Sequence, residues 1–395
     1  MPEYLFQLGH QPHISTAEIQ AVFSQLGIDV TILHEKDEWL LLETRKPIDA
    51  NALMNRLGGT IKIAEQISEA DNMHTTLATH IRKLQPAGKI VFSLAGGNAK
   101  GLALELKKTL KDNGRNVRYV EAKNAATILH NKLVEKQADF TIVNNSVFVT
   151  RAIQPFEEFG ERDYGRPAIQ SKEGMLPPKL ARILVNLSGA KPDDTLLDPF
   201  CGSGTILMEA TLMGFSDLVG SDISQKAVEN ARKNLDWTQK KFQISELVPR
   251  NSRDFRFQIF QSDIRSIDRR IKTPTIQSII TEPYLGKPLT GKESKQQLLG
   301  QARELKQLYA SAFSAFAKIL KPNGTVVFIM PRFRHHNEWV RVDCLNEIKK
   351  TGFSVVPLST ETDFLLYSRP KQHVGREIWR FSLLSSRAET ESARP

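Results

Sequence analysis

The chain has 395 residues, 40% hydrophobic and 25% charged, a globular composition that excludes a fibre, a disordered tail or a single small binding module. Lysine and arginine outnumber aspartate and glutamate by 54 to 44, a net charge of +10 that favours a polyanionic partner without requiring one. With only Cys201 and Cys344, no run near the roughly 18 apolar residues of a membrane span, and no leader pattern in MPEYLFQLGH, a disulfide scaffold is excluded and a cytoplasmic location is expected.

From the N-terminus, Tyr4 to Leu8 reads as a strand and Ser15 caps a helix through Leu26. Val30 to Leu33 and Trp39 to Leu42 flank a hairpin-like turn at Lys36-Asp37. A helix near Asp49 to Leu57 stops at Gly58-Gly59, and Thr60 to Ile67 returns as a strand, closing a small α/β unit. A second unit has helix Thr75 to Leu84, strand Lys89 to Leu94, a turn at Gly96-Gly97 and a lysine-rich helix from Asn98 to Lys111. Strand Val117 to Glu121, helix Ala125 to Val134 and strands Phe140 to Val143 and Val147 to Ile153 complete it. From Gln154 to Met175 the periodicity fails, as in a linker.

Beyond it, helix Pro178 to Leu187, strand Thr195 to Leu197, helix Thr205 to Met213, strand Leu218 to Ser221, helix Ser224 to Leu235 and strand Phe255 to Phe260 alternate. Strand Gln277 to Ile280, helix Ala302 to Leu320, strand Thr325 to Ile329 and a helix ending near Lys350 continue the series. Strands near Phe353 to Pro357, Phe364 to Tyr367 and Glu377 to Leu383 follow with no helix between them. The alternation predicts a doubly wound, mostly parallel sheet closed by an antiparallel pair.

Asp198-Pro199-Phe200-Cys201-Gly202-Ser203-Gly204-Thr205 sits where an apolar strand meets a helix, so glycines let a ligand approach the backbone and the helix start offers free N–H groups. Leu207 stands where a dinucleotide-binding turn needs its third glycine, and no Gly-Lys-Ser/Thr P-loop is present. Asp222 ends the next strand and Asp263 follows the one after, each at a place where an acid also serves to cap a helix. Ser278 to Gly286 ends a further strand in Glu282-Pro283-Tyr284. His335-His336 and His373 lack partners at ligand spacing, so no metal is predicted.

The first segment with Asp222 and Asp263 resembles the Rossmann-like S-adenosylmethionine-dependent methyltransferases. That resemblance implies S-adenosylmethionine as cofactor, bound by Asp198, Phe200, Gly202, Gly204, Thr205, Asp222, Ile223, Asp263 and Ile264. Asp198 would hold the ammonium end, Asp222 the ribose hydroxyls, and Asp263 would lie near the adenine amine. Glu282-Pro283-Tyr284 resembles the Asp-Pro-Pro-Tyr loop of enzymes that methylate exocyclic amines of nucleobases. Such an amine must be oriented by hydrogen-bond acceptors while an aromatic ring stacks on the swung-out base. Here Thr281 occupies the acid position and Glu282 that of the first proline. Three alternatives stay open: Glu282 reaches the amine, Thr281 and a backbone carbonyl suffice, or activity is altered.

Arg56 to Gln66, Phe159 to Pro167 and Met175 to Gly189 extend the likeness to the THUMP-domain tRNA methyltransferases that modify the exocyclic 2-amine of a guanosine, commonly at position ten. The implied fold is α/β, a Rossmann-like class I methyltransferase domain preceded by a ferredoxin-like plus THUMP α/β module. The expected bounds are 1–67 ferredoxin-like, 68–154 THUMP, 155–175 linker, 176–384 methyltransferase and 385–395 disordered tail. The family's front half grips tRNA, so tRNA is the expected partner, with no membrane; a small activating subunit stays open, and the chain is expected to be a monomer. Lys100, Lys107, Lys108, Arg162, Arg166, Arg369, Lys371 and His373 are the candidate RNA contacts, Lys111 and Arg376 lie beside them, and the basic stretch Lys240 to Lys272 is either an RNA-facing insertion or a charged loop. The rival activities are methylation of an adenine amine in DNA or ribosomal RNA, and tRNA binding by a catalytically decayed loop.

Overall fold

A computed structural model describes residues 1–69, 72–112, 114–169, 175–243, 256–271, 274–370 and 372–384, and the chain divides into two units, 1–156 and 157–395. The first unit runs β1 (Glu3–Leu8), α1 (Pro12–Leu26), β2 (Val30–Lys36), β3 (Trp39–Thr44), α2 (Ala50–Arg56), β4 (Thr60–Glu69) and α3 (Met73–Leu84). It continues through β5 (Ile90–Ala95), α4 (Ala99–Lys111), β6 (Val117–Tyr119), α5 (Ala125–His130), β7 (Asp139–Val143) and β8 (Ser146–Ile153). All eight strands form one sheet in the order β2-β3-β1-β4-β8-β7-β5-β6, so the sheet passes uninterrupted across residue 67 through the antiparallel β4–β8 pair.

Across that pair lies a polar knot. Lys62 of β4 and Asp139 of β7, both buried, form an ion pair at 3.2 Å, and the same carboxylate accepts from the hydroxyls of Ser93 and Thr150. Every partner comes from a different strand, so the register of four strands is fixed by one satisfied network. Ser15 does not cap α1, which starts at Pro12 with proline in its first turn. Its hydroxyl instead donates to the Gly59 carbonyl at 2.8 Å, while the buried Glu18 carboxylate accepts from the Gly58 and Gly59 N–H groups. The paired glycines are thus packed against α1, where a Cβ on Gly59 would fall 2.6 Å from the Ser15 hydroxyl.

The second unit contains α6 (Phe156–Gly160), a π-helical turn Glu161–Gly165, α7 (Pro178–Ser188), β9 (Leu196–Asp198), α8 (Thr205–Leu212), β10 (Asp217–Asp222), α9 (Gln225–Lys241), β11 (Arg256–Gln261) and a 3₁₀ helix Ile264–Arg269. Then come β12 (Ile276–Thr281), α10 (Lys295–Ile319), β13 (Leu320–His335), β14 (Glu338–Arg341), α11 (Leu345–Lys350), β15 (Phe353–Val355), β16 (Phe364–Tyr367) and β17 (Val374–Leu383). Strands order as β11-β10-β9-β12-β13-β17-β15, parallel as far as β13 and antiparallel beyond, with β14 paired to β13 and β16 to β17. α10 begins seven residues before the expected Ala302, because Ser294 and Gln297 form a reciprocal capping box. The apolar face of α10, with Leu305, Tyr309, Phe313 and Phe316, packs on Phe328, Phe353 and Phe381.

Residues 156–165, expected as linker, are largely helical. Charge hides the periodicity here, because the side chain turned inward is Arg162, 1% exposed. Its guanidinium and that of Arg182 share the fully buried Glu209 carboxylate, with the Phe159 ring against both cations. Among the described residues no helix is long and apolar enough to cross a membrane. The tail 385–395, residues 244–255 and 272–273 of the basic stretch, and Lys371 lie outside the described residues.

Candidate functional site

The strand order reverses at β9: β10 and β11 lie on one side of it and β12 on the other. Crevices at the carboxyl ends of strands flanking such a reversal are where open α/β sheets take ligands. Asp198 ends β9 and Thr281 ends β12, and the Thr281 hydroxyl donates to Asp198 at 2.7 Å across the crevice. Asp198 is 2% exposed, and burial, reinforced by the nearby carboxylates of Asp222 and Glu282, pushes its carboxyl up to about 7 despite bonds from Thr281 and the Phe200 N–H. A buried acid so placed among other acids is short of a cation.

The chain leaves Asp198 through Phe200, half-buried against the core, and reaches α8 at Gly204, whose φ of 84° is costly for any residue with a side chain. A Cβ there would also press on Ala231 at 3.1 Å, so glycine is required twice over. Asp222, at the end of β10, accepts from the N–H groups of Gly202 at 3.0 Å and Ser224 at 2.9 Å, fastening the glycine loop to the next strand. Ser224 itself caps α9. Next along the strand ends lies a cavity of about 340 Å³ lined by Ile223, Gln261, Ser262, Asp263, Ser266, Arg269 and Arg270. Ile223 is 66% exposed at its mouth, an apolar side chain available to a flat ligand. Asp263 caps the 3₁₀ helix and is gripped by Arg265, which holds its carboxyl below the usual range; Ile264 turns into the core instead.

S-adenosylmethionine carries an ammonium, a sulfonium, a ribose and an adenine. A buried carboxyl in need of a cation, acids ending successive strands, and an open cavity with an exposed isoleucine fit those groups in that order along the crevice.

Past β12 the chain turns through Glu282, Pro283 and Tyr284. The Glu282 carboxylate accepts from Arg376 of β17 at 2.5 Å, with both side chains 13% exposed. Pro283 is buried, Tyr284 is 55% exposed, and the Tyr284 carbonyl accepts from the buried Tyr309 hydroxyl of α10 at 2.8 Å. The turn is therefore pinned by a side-chain pair and a main-chain bond, with the aromatic ring left outward. Thr281, by contrast, is fully buried and committed to Asp198.

The proposed RNA contacts separate into two groups. Lys100 and Lys108 lie on the exposed side of α4 with Lys111, Lys107 is half-buried, Arg369 is exposed, and His373 is half-buried against Gly291. Arg162 and Arg166 are not surface cations at all. Arg162 is paired with Glu209, and Arg166, 2% exposed, donates to the Thr205 hydroxyl at 2.7 Å at the start of α8. A carboxylate inside the apolar run Thr205–Leu212 was the available signal, since a buried Glu209 demands cations from elsewhere in the chain. The Glu282–Arg376 pair, spanning 94 residues, has no comparable local signature. Among the described residues no group of three or more histidine, cysteine, aspartate or glutamate side chains is placed to hold a metal.

The family described as UPF0020, RMKL-like, methyltransferase domain matches residues 167–362. A tRNA (guanine(10)-N2)-dimethyltransferase of Methanothermobacter thermautotrophicus is 28% identical over 294 residues, 70% of this chain and 75% of the relative. A probable tRNA (guanine(10)-N2)-dimethyltransferase of Methanothermococcus thermolithotrophicus is 30% identical over 154 residues, 39% of this chain and 80% of the relative. The crystal structure of TrmN from Thermus thermophilus superposes over 97% of this chain and 100% of its own with a TM-score of 0.53 at 16% identity, a likeness of fold. With a strand-end crevice suited to S-adenosylmethionine and these relatives, the chain belongs to the tRNA (guanine-N2)-methyltransferase family.

Proposed function

We propose that the protein transfers a methyl group from S-adenosylmethionine to the exocyclic 2-amine of a guanosine in tRNA, position ten being the one named in the two relatives described above. The observation that carries this reading is the Glu282–Arg376 pair beside the Pro283-Tyr284 turn, at the end of β12 and next to the acid-lined crevice. An exocyclic amine has its lone pair delocalised into the ring, so it needs acceptors for its N–H groups before the lone pair can point at an electrophile. Glu282, with one carboxylate oxygen engaged by Arg376, is oriented to accept from that amine through the other. Pro283 fixes the turn, and the outward Tyr284 ring offers a stacking face to a base swung from its helix. Of the three open alternatives, this one gives Glu282 the acceptor's part and leaves Thr281 to hold Asp198.

Asp198 would hold the ammonium, Asp222 the ribose hydroxyls, and Asp263 with Ile223 the adenine end, while Gly202 and Gly204 allow close approach. When bound, S-adenosylmethionine supplies a methyl on a good leaving group, so no strong base need act before attack and the amine proton departs afterwards. The first unit would serve as the ferredoxin-like plus THUMP grip on tRNA, supported by Lys100, Lys108 and Lys111 on one exposed stretch of α4. The acting species would be a single chain, with or without a small activating subunit, which sizing of active material decides.

The test uses unmodified tRNA and labelled cofactor, with product mapping by mass spectrometry. Glu282→Gln and Glu282→Ala are expected to lower turnover about 100-fold or more while cofactor affinity, followed by calorimetry, persists. Full turnover in both variants would remove Glu282 from the mechanism.

A further inference from the structure

β13 outlasts its parallel neighbour. Its last pairing with β12 is Phe328 opposite Thr281, yet the strand runs on to His335 and folds back as β14. Within this projecting hairpin Phe333 and Val340 are buried in the core, while the alternate positions place Arg332 opposite Arg341 and Arg334 opposite Trp339. Alternation puts these four side chains on the other face from the core pair.

Their cations are already arranged. Arg334 and Arg332 lie 5.2 and 5.5 Å from the Trp339 ring, and Arg332 and Arg341 lie 5.2 and 5.1 Å from that of Phe364. Arg332 and Arg341 share one carboxylate, the buried Glu377, so two guanidiniums face one acid, with Arg334 beside them over the Trp339 ring. Gly375, opposite Arg332 on β17, makes room for this, because a Cβ there would come within 3.0 Å of the Arg332 side chain. A stacked guanidinium keeps its N–H edge for a ligand and has given up its rotamer freedom beforehand, the opposite of a free solvated arginine.

The hairpin is also tied to the mouth of the candidate site. The Arg334 N–H donates to the His373 carbonyl at 2.8 Å, and the His373 ring lies against Gly291, in the loop that leads from Tyr284 to α10. Guanidiniums held in place over aromatic rings, on a hairpin tied to the loop that follows the Tyr284 turn, suit a polyanionic strand. We propose that the β13–β14 hairpin binds backbone phosphates of the RNA strand that carries the target nucleotide, with Arg334 and Arg341 making the contacts and Trp339 and Glu377 positioning them. This rests on the reading that the substrate is tRNA.

The experiment compares wild type with Arg334→Gln, Arg341→Gln and Trp339→Leu, by tRNA binding at several salt concentrations, by KM for tRNA, and by cofactor binding in calorimetry. Each arginine variant should bind tRNA about threefold or more weakly, raise KM for tRNA, and flatten the slope of log affinity against log salt by about one. Trp339→Leu, which keeps every charge, should weaken binding with the slope nearly unchanged. Cofactor affinity should stay as in wild type, which also reports correct folding. If wild type binds tRNA and all three variants match it in affinity and slope, the hairpin proposal falls while the tRNA reading stands. If wild type itself shows no salt-dependent tRNA binding, the tRNA reading falls and takes the proposal with it.

Discussion

Asp198 is a carboxyl whose pKa burial has lifted to about 7, well above its value of about 4 in an unfolded chain. Between those values the folded state holds a proton that the unfolded state has lost, so this group makes stability fall as pH rises from about 4 to 7. On the proposed placement, the cofactor's ammonium beside Asp198 would favour the charged form, and binding would then expel the proton. Calorimetry near pH 6.5 in buffers of different ionisation heat is expected to show release of a fraction of a proton on binding, and affinity rising towards pH 7. In Asp198→Asn that release should vanish and cofactor affinity drop about tenfold or more, while the unliganded protein above pH 7 gains about 2–4 °C in Tm, since no buried charge is left to accommodate. A release undiminished in Asp198→Asn would place the titrating group elsewhere. Thr281 belongs to the same account: where an amine-binding loop ordinarily has its acid, this chain has a hydroxyl that steadies Asp198 instead.

Among the elements, α8 shows what a local sequence conceals. Its eight residues are apolar or small apart from Glu209, 0% exposed, which is balanced by Arg162 from the π-helical turn and Arg182 from α7. Glycines and acids at strand ends are legible one motif at a time, because the conformation and the charge are local properties. Buried ion pairs are not, because an arginine reads as a surface residue until its partner, 47 and 27 residues away for these two, is brought to it by folding. The failed periodicity over 156–165 has the same origin. Glu209→Ala, which leaves two guanidiniums buried beside a missing acid, is expected to lower unfolding free energy by about 3–5 kcal/mol in urea denaturation. A loss below about 1 kcal/mol would mean that water or another acid takes the carboxylate's place.

Over the whole molecule, the charge excess of ten is distributed in a way composition could not reveal. Some of the suspected cations are interior, as Arg162 and Arg166 are, while three arginines on the β13–β14 hairpin stand over aromatic rings. The parallel sheet with its antiparallel close was legible because each strand and helix carries its own period. That the first eight strands share one sheet was not, because pairing between β4 and β8 links segments some 80 residues apart. If about six phosphates are neutralised across the protein, tRNA affinity should fall roughly a thousandfold between 50 and 200 mM salt, with cofactor affinity nearly constant. A flat salt dependence in filter binding would show that the basic surface is solvated rather than engaged.

β17 carries one further consequence. Its neighbouring residues Arg376 and Glu377 serve opposite faces, the first holding Glu282 at the site and the second gathering Arg332 and Arg341. Slippage by one residue would set the Glu377 carboxylate against Glu282 in one direction, or the Arg376 guanidinium among arginines in the other. The strand therefore has parity. An insertion or deletion inside β17 that shifts its register by an odd number of residues is expected to undo the Glu282–Arg376 pair and the Glu377 cluster of the hairpin together.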